Sequence, residues 1–140
     1  MPYSFKDDIA VADVAFEATG RTLAELFESA GLAVTHTMVR DLASVQTKVA
    51  KKIEVEGSDV ENLLFNFLQE VVFLKDAELL LFSKITIDEI DETHCAATLR
   101  GEKLDQKKHE LLVDVKAVTM HLFKVESTKS GWSAQVILDV

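Results

Sequence analysis

Two aspartates hold most of the chemistry this sequence could do. Asp13 lies in "VADVAF" and Asp139 in "VILDV", near opposite ends of a 140-residue chain. Both stretches are apolar, so each reads as a strand. An isolated ionised carboxylate is costly to take out of water without a partner. If the first and last strands are neighbours, the two acids face each other, with the Val140 carboxylate close by. Two like charges about 4 Å apart, at an effective dielectric of about 20, repel by roughly 4 kcal/mol. A proton, a lysine or a hard cation such as calcium relieves that repulsion. Spacing alone leaves two readings open: a pair sharing a cation, and two separate solvated acids.

Other signatures of chemistry are missing. The sequence has no G-x-x-x-x-G-K-[ST] loop, no G-x-G-x-x-G turn, no G-x-S-x-G elbow and no H-E-x-x-H pair, so nothing supports glycine-loop phosphate binding, a serine nucleophile or a zinc protease site. The four histidines, His36, His94, His109 and His121, show no metal-ligand spacing and read as surface or satisfied core residues. Cys95 is the only cysteine, which excludes an internal disulfide and a Cys-rich zinc site and leaves a packed thiol. "GEKLDQKKHE", residues 101–110, is a mixed-charge stretch with two readings, a solvated connection and a partner-contact edge.

Acidic residues number 24 and basic ones 15, for a formal charge of −9. That balance argues against direct nucleic-acid binding, which needs a basic face to displace phosphate counterions. It allows a basic partner protein or a bound cation. No stretch reaches the roughly 18 apolar residues that span a bilayer, and "MPYSFKDD" lacks the basic and apolar regions of a signal peptide. The expectation is a cytoplasmic protein with no membrane partner.

The elements that must position the aspartates follow from periodicity. "VADVAFEATG" reads as the first strand. "TLAELFESAGLAVTHTMV" reads as a helix, with Leu23, Leu26, Phe27, Ala30, Val34 and Met38 on one face and Thr22/Glu25 as a capping box. Gly31 inside it invites a kink. "SVQTKVAKKIEVEG" ends as a half-exposed strand. "SDVENLLFNFLQEVVFL" is the clearest helix, its stripe running from Val60 to Val72 and Ser58/Glu61 offering a second capping box. "KITIDEI", "HCAATLR", "LLVDVKAVTMHLFKV" and "WSAQVILDV" read as strands, the third long enough to need a bulge near Lys116 to Val118. The expectation is a single α+β domain over residues 1–140, with two amphipathic helices packed on a mostly antiparallel sheet.

The order of these segments resembles the archease family. The resemblance runs from "AD" at 12–13 to the final "DV", carried by "TLAELFESAGLAV", "VEGSDVENLLFNFLQE", "GEKLDQKKHE", "VKAVTMH" and "ILDV". Each segment is weak alone; together, in order and in a chain of matching length, they are fairly specific. The resemblance implies a protein cofactor of the tRNA-splicing RNA ligase, not an enzyme itself, which promotes guanylylation and turnover of the ligase. It also implies an alternative role, in chaperone-like modulation of a tRNA methyltransferase. A divalent-metal site, assigned as calcium, is implied too, and its ligands fall on Asp13, Asp139 and Val140. Lys116, Thr119 and His121 match the family's K-A-x-T-x-H segment, implying a surface facing the partner. One departure stands out. The family's H-T-A-D appears here as Ala10-Val11-Ala12-Asp13, so the His and Thr are absent, and Asp7 or Asp8 upstream are the nearest replacements.

Overall fold

A computed structural model describes residues 2–6 and 13–140. In chain order the elements are β1 (Tyr3–Lys6), β2 (Asp13–Gly20), α1 (Leu23–Met38), a 3₁₀ turn (Leu42–Ser44), β3 (Val49–Glu56), α2 (Val60–Glu78), β4 (Leu80–Ile90), β5 (His94–Lys103), β6 (Ala117–Thr128) and β7 (Gly131–Asp139). The strands form two antiparallel sheets, one ordered β1-β2-β7-β6 and the other β3-β5-β4. The α+β architecture expected from the sequence is what folds, with the strands divided between two sheets rather than gathered in one.

Helix α1 lies between the sheets, against β2 and β7 on one side and β4 on the other. Its apolar face, Leu26, Phe27, Ala30, Ala33, Val34 and Met38, is buried. Thr22 caps it by accepting from the Glu25 N–H at 3.1 Å. The Glu25 carboxylate reaches back to the N–H of Arg21 at 2.9 Å, one residue further than in the usual capping box. Gly31 has a packing reason. A Cβ there would collide with Ile85 Cδ1, so glycine lets α1 approach β4 at a propensity cost of about 1 kcal/mol. The helix runs on through it without interruption.

Helix α2 is capped by Asp59, not Ser58. The Asp59 carboxylate accepts from the Asn62 N–H at 2.8 Å, and the Asn62 amide oxygen accepts from the Ser58 N–H at 3.0 Å. A charged acceptor gains more at the positive end of a helix than a neutral hydroxyl, which favours the aspartate. Glu61, released from capping, accepts from the Val125 N–H at 3.1 Å, and Gln69 accepts from the Val118 N–H at 3.1 Å. Val118 and Val125 belong to β6, an outer strand, and α2 lies along it.

Three local features depart from the periodicity. Tyr3–Lys6 adds a short strand pairing with Ala15–Ala18. The expected strand starting at Val11 is described only from Asp13, and Val11 and Ala12 lie outside the described residues. Residues 111–116, read as strand, instead form an irregular strap that crosses from the end of α1 to the end of β7. Leu112 N–H donates to the Met38 carbonyl at 2.8 Å, and Leu111 makes an isolated bridge with Val39. The bulge in β6 falls between Thr119 and Lys124, beyond Lys116 to Val118, with Leu122 at φ 54°.

Candidate metal centre

The antiparallel pairing of β2 with β7 sets Asp13 directly opposite Asp139. Facing residues on paired strands point to the same side, with Cβ atoms about 4.5–5.5 Å apart. Asp139 is exposed and Asp13 half-buried. Ala117 completes the row on β6, and the described pairing of β1 ends at Lys6–Ala15. Among the described residues, no Lys, Arg or His lies within ion-pair distance of either carboxylate. The acids therefore meet where the described part of β2 begins and β7 ends. Val140 follows at once, half-buried and packed against the core. Asp7, Asp8, Ala10 and Val11 lie outside the described residues.

The donor set is all oxygen: two carboxylates and the backbone of Val140. Along the same sheet face, the next row is Ala15–Ile137–Thr119, and the Thr119 hydroxyl is buried with no hydrogen-bond partner. An all-oxygen set beside an orphaned hydroxyl suits a hard cation rather than zinc or copper. Three or more His, Cys, Asp or Glu side chains do not converge anywhere among the described residues, so any cation here takes most of its shell from backbone, water or a partner.

Lys116, Thr119 and His121 do not form one cluster. Lys116 N–H donates to the Asp139 carbonyl at 2.8 Å, which ties the end of the strap to the acid pair. Thr119 is inside β6, one same-face row away. His121 is exposed in the β6 excursion between Thr119 and Lys124. Gln135, on the outer face, donates to the Leu122 carbonyl at 3.1 Å and holds that excursion over it.

Beside Asp13 opens a cleft of about 340 Å³, lined by Phe5, Lys6, Val14, His36, Thr37, Leu112 and Val113. Its floor is fixed. His36 Nε2 lies 3.1 Å from the Arg40 carbonyl and Nδ1 lies 2.8 Å from the Tyr3 hydroxyl. A carbonyl only accepts, so Nε2 carries the hydrogen and the tyrosine donates to Nδ1.

Two buried polar clusters escaped the sequence reading. Lys75, at the end of α2, is buried among apolar side chains. Its ammonium donates to the Val115 carbonyl at 2.8 Å, to Asp114 at 2.6 Å and to Asp76. Burial works against its charge, but the hydrogen bonds and charges of Asp114 and Asp76 prevail and hold its pKa above the ordinary value. The second cluster corrects the solvated reading of residues 101–110. Asp105 N–H donates to His109 Nδ1 at 3.0 Å, so His109 Nε2 carries the hydrogen and donates to Glu102 at 3.0 Å. Gln46 N–H and Lys108 each donate to the same carboxylate at 2.7 Å. Burial alone would raise the Glu102 carboxyl; the bonds from Lys108, Gln46 and His109 outweigh it and bring it down to about 2. Glu102 and His109 sit seven residues apart, and only their separation within a closed loop could have hinted at the pair.

Comparison with known proteins completes the picture. The sequence profile of the archease protein family matches residues 3–140. The chain is 39% identical over 133 residues to the archease of Pyrococcus furiosus, covering 92% of this chain and 93% of that one. It is 33% identical over 133 residues to the archease of Methanosarcina acetivorans, covering 92% and 90%. The solution structure of Methanobacterium thermoautotrophicum protein 1598 superposes with a TM-score of 0.81 at 35% identity, over 99% of both chains. A crystal structure from Thermotoga maritima, described as an archease and possible chaperone, superposes with a TM-score of 0.64 over 96% of both chains; at 19% identity it speaks for the fold alone.

Proposed function

The chain belongs to the archease family, and from that premise we propose that it is the protein cofactor of a tRNA-splicing RNA ligase, acting in the cytoplasm through a divalent cation at Asp13, Asp139 and Val140. The observation that carries this reading is the Asp13–Asp139 register pair. Two like charges held face to face, with no neighbouring base among the described residues, favour a state in which a cation is shared. Calcium takes six to eight oxygens, so the protein supplies a minority of the shell. When bound, it would present positive charge to oxygens of the ligase or its nucleotide. The chain's own residues hold the donors in place. The β2–β7 ladder fixes both carboxylates, Lys116 N–H fixes the Asp139 backbone, and buried Leu138 and Ile137 anchor the strand behind it. The ligase does the chemistry; this chain helps it become guanylylated and turn over.

A ligation assay tests the reading. Adding the protein to its ligase raises turnover, and chelator or Asp139→Ala removes the gain. If stimulation survives both Asp13→Ala and Asp139→Ala, the cation mechanism is wrong. A chaperone-like action on a tRNA methyltransferase through surface contact is the second reading, favoured by the exposed apolar strap beside the site. It predicts activity indifferent to chelator.

A further inference from the structure

We propose that the outer face of the β3-β5-β4 sheet binds a phosphodiester backbone, and that in the ligase complex this backbone is the RNA being joined. The chain's charge of −9 is unevenly spread. Residues 46–52, 82–86 and 98–108, which meet at one end of that sheet, hold eight of the 15 basic residues and only two of the 24 acidic ones. The fold therefore supplies locally the basic face that the net charge argues against. Alternation along the strands decides which side carries it. Cys95, Ala97 and Leu99 of β5 pack into the core, with Ile53 and Ile85 beside them, and α1 lies on that side, where Gly31 sits against Ile85. Thr98 and Arg100 point the other way. Two successive rows on this outer side read Ala50–Arg100–Lys84 and Lys52–Thr98–Thr86. Ala50, Lys52 and Lys84 are exposed there, and Arg100 is half-buried.

Among the described residues, Lys52, Lys84, Arg100 and Lys103 make no ion pair. Lys48 and Lys108 share the one buried carboxylate of Glu102, at 3.8 and 2.7 Å, so their combined charge is only half offset. With Lys103 they line an open cleft of about 730 Å³ at the end of the sheet. Cations gathered in this way repel one another, and a polyanion relieves the repulsion. The ladder fixes their spacing. Arg100 and Lys84 stand side by side, and Lys52 lies diagonal to Arg100, about 7–8 Å away at that register. Charges on a nucleic-acid strand recur every 3.4 Å or so, about that much of helix axis, so the three span more than one phosphate. What lies between the cations selects the occupant. The two rows carry only Ala and Thr there. A protein partner needs aromatic or aliphatic anchors at the centre of its interface, and these rows offer none. Phosphate contacts need only cations and hydroxyls. With no aromatic side chain in the rows to stack a base, binding runs through the backbone and is blind to sequence. The next row, Glu54–Ala96–Glu89, is acidic and limits the footprint to a few phosphates.

That the backbone is RNA rests on the ligase reading; that it is a phosphodiester rests on the face alone. Fluorescence anisotropy with the full chain and a labelled RNA hairpin tests it, in chelator so that no cation on the acid pair bridges to phosphate. Wild type is expected to bind with an affinity that falls steeply between about 50 and about 200 mM salt, and comparably to a DNA hairpin of the same sequence. The exposed pair variant Lys52→Ala/Lys84→Ala is expected to weaken binding about tenfold or more and to lower the salt slope by about two, close to one for each lost phosphate contact. Its calcium affinity and melting temperature stay those of the wild type, and Lys52→Arg/Lys84→Arg restores binding. RNA affinity unchanged in the alanine variant overturns the face, as does wild-type protein that binds no RNA at about 50 mM salt. Poly-glutamate that competes as well as RNA, charge for charge, makes this a surface for acidic protein and ends the proposal. Wild type that binds RNA but fails to stimulate the ligase overturns the ligase reading and leaves the face standing. Chelator-sensitive stimulation of the ligase without RNA binding overturns the face and leaves the ligase reading standing.

Discussion

The ammonium of Lys75 donates to the main-chain carbonyl of Val115, one residue before Lys116, whose own N–H holds the carbonyl of Asp139. A helix end is thereby coupled to the acid pair through two hydrogen bonds and one peptide unit.

Lys75→Met should destabilise the fold by about 1–3 kcal/mol, the cost of an unmet buried carbonyl. The carboxylates it also pairs with are more than half exposed, so losing their charge partner adds little. Urea denaturation measures this. The folded-state pKa lies above the ordinary 10.5, so the lysine's contribution is full below that value and is lost as pH rises through the raised one. Wild type should lose stability on the alkaline side where the methionine variant does not.

Glu102 gives the opposite limb. Its carboxyl stays ionised in the folded protein down to about 2, against an ordinary 4.5. Its contribution is therefore full above 4.5 and lost as pH falls from there towards 2. Glu102→Gln should flatten that part of the stability curve and lower stability near neutral pH. Thermal melts across pH 2 to 7 check both effects, and an unchanged acid limb would contradict the role given to the Glu102–His109 bond.

Calcium should raise the melting temperature of the wild type and leave Asp13→Asn/Asp139→Asn unmoved. At about 100 times the dissociation constant the gain is roughly 2.7 kcal/mol. In chelator the asparagine variant should be at least as stable as wild type, because the facing charges are gone.

Cys95 is fully buried on β5 and its thiol is pushed up to about 12, first by burial and then by the charge of Asp88. Only the thiolate is a good nucleophile. A disulfide-exchange reagent at pH about 8 should leave the folded protein unlabelled and label it fully in denaturant.

Local periodicity carried much of the fold. The stripes of α1 and α2 and the alternation in β3 to β7 depend on near neighbours, which a sequence displays. The pairing of Asp13 with Asp139 depends on two strands closing in register across paired residues 112 to 126 positions apart in sequence, and composition left that open; the family resemblance brought the two ends together. The strap was misread because "LLVDV" has a strand's composition, while its path is set by a buried lysine from another element. Ser58 was preferred to Asp59 because the capping pattern looks three residues ahead for Glu, and the structure used Asn62 instead.

The bonds from Gln69 and Glu61 to the N–H groups of Val118 and Val125 have an effect well away from the acids. An outer strand with unsatisfied amides is a template on which a second chain can extend the ladder. Here those donors are already occupied from within the molecule. At these two positions of β6, then, a second chain finds no free amide on which to extend the ladder.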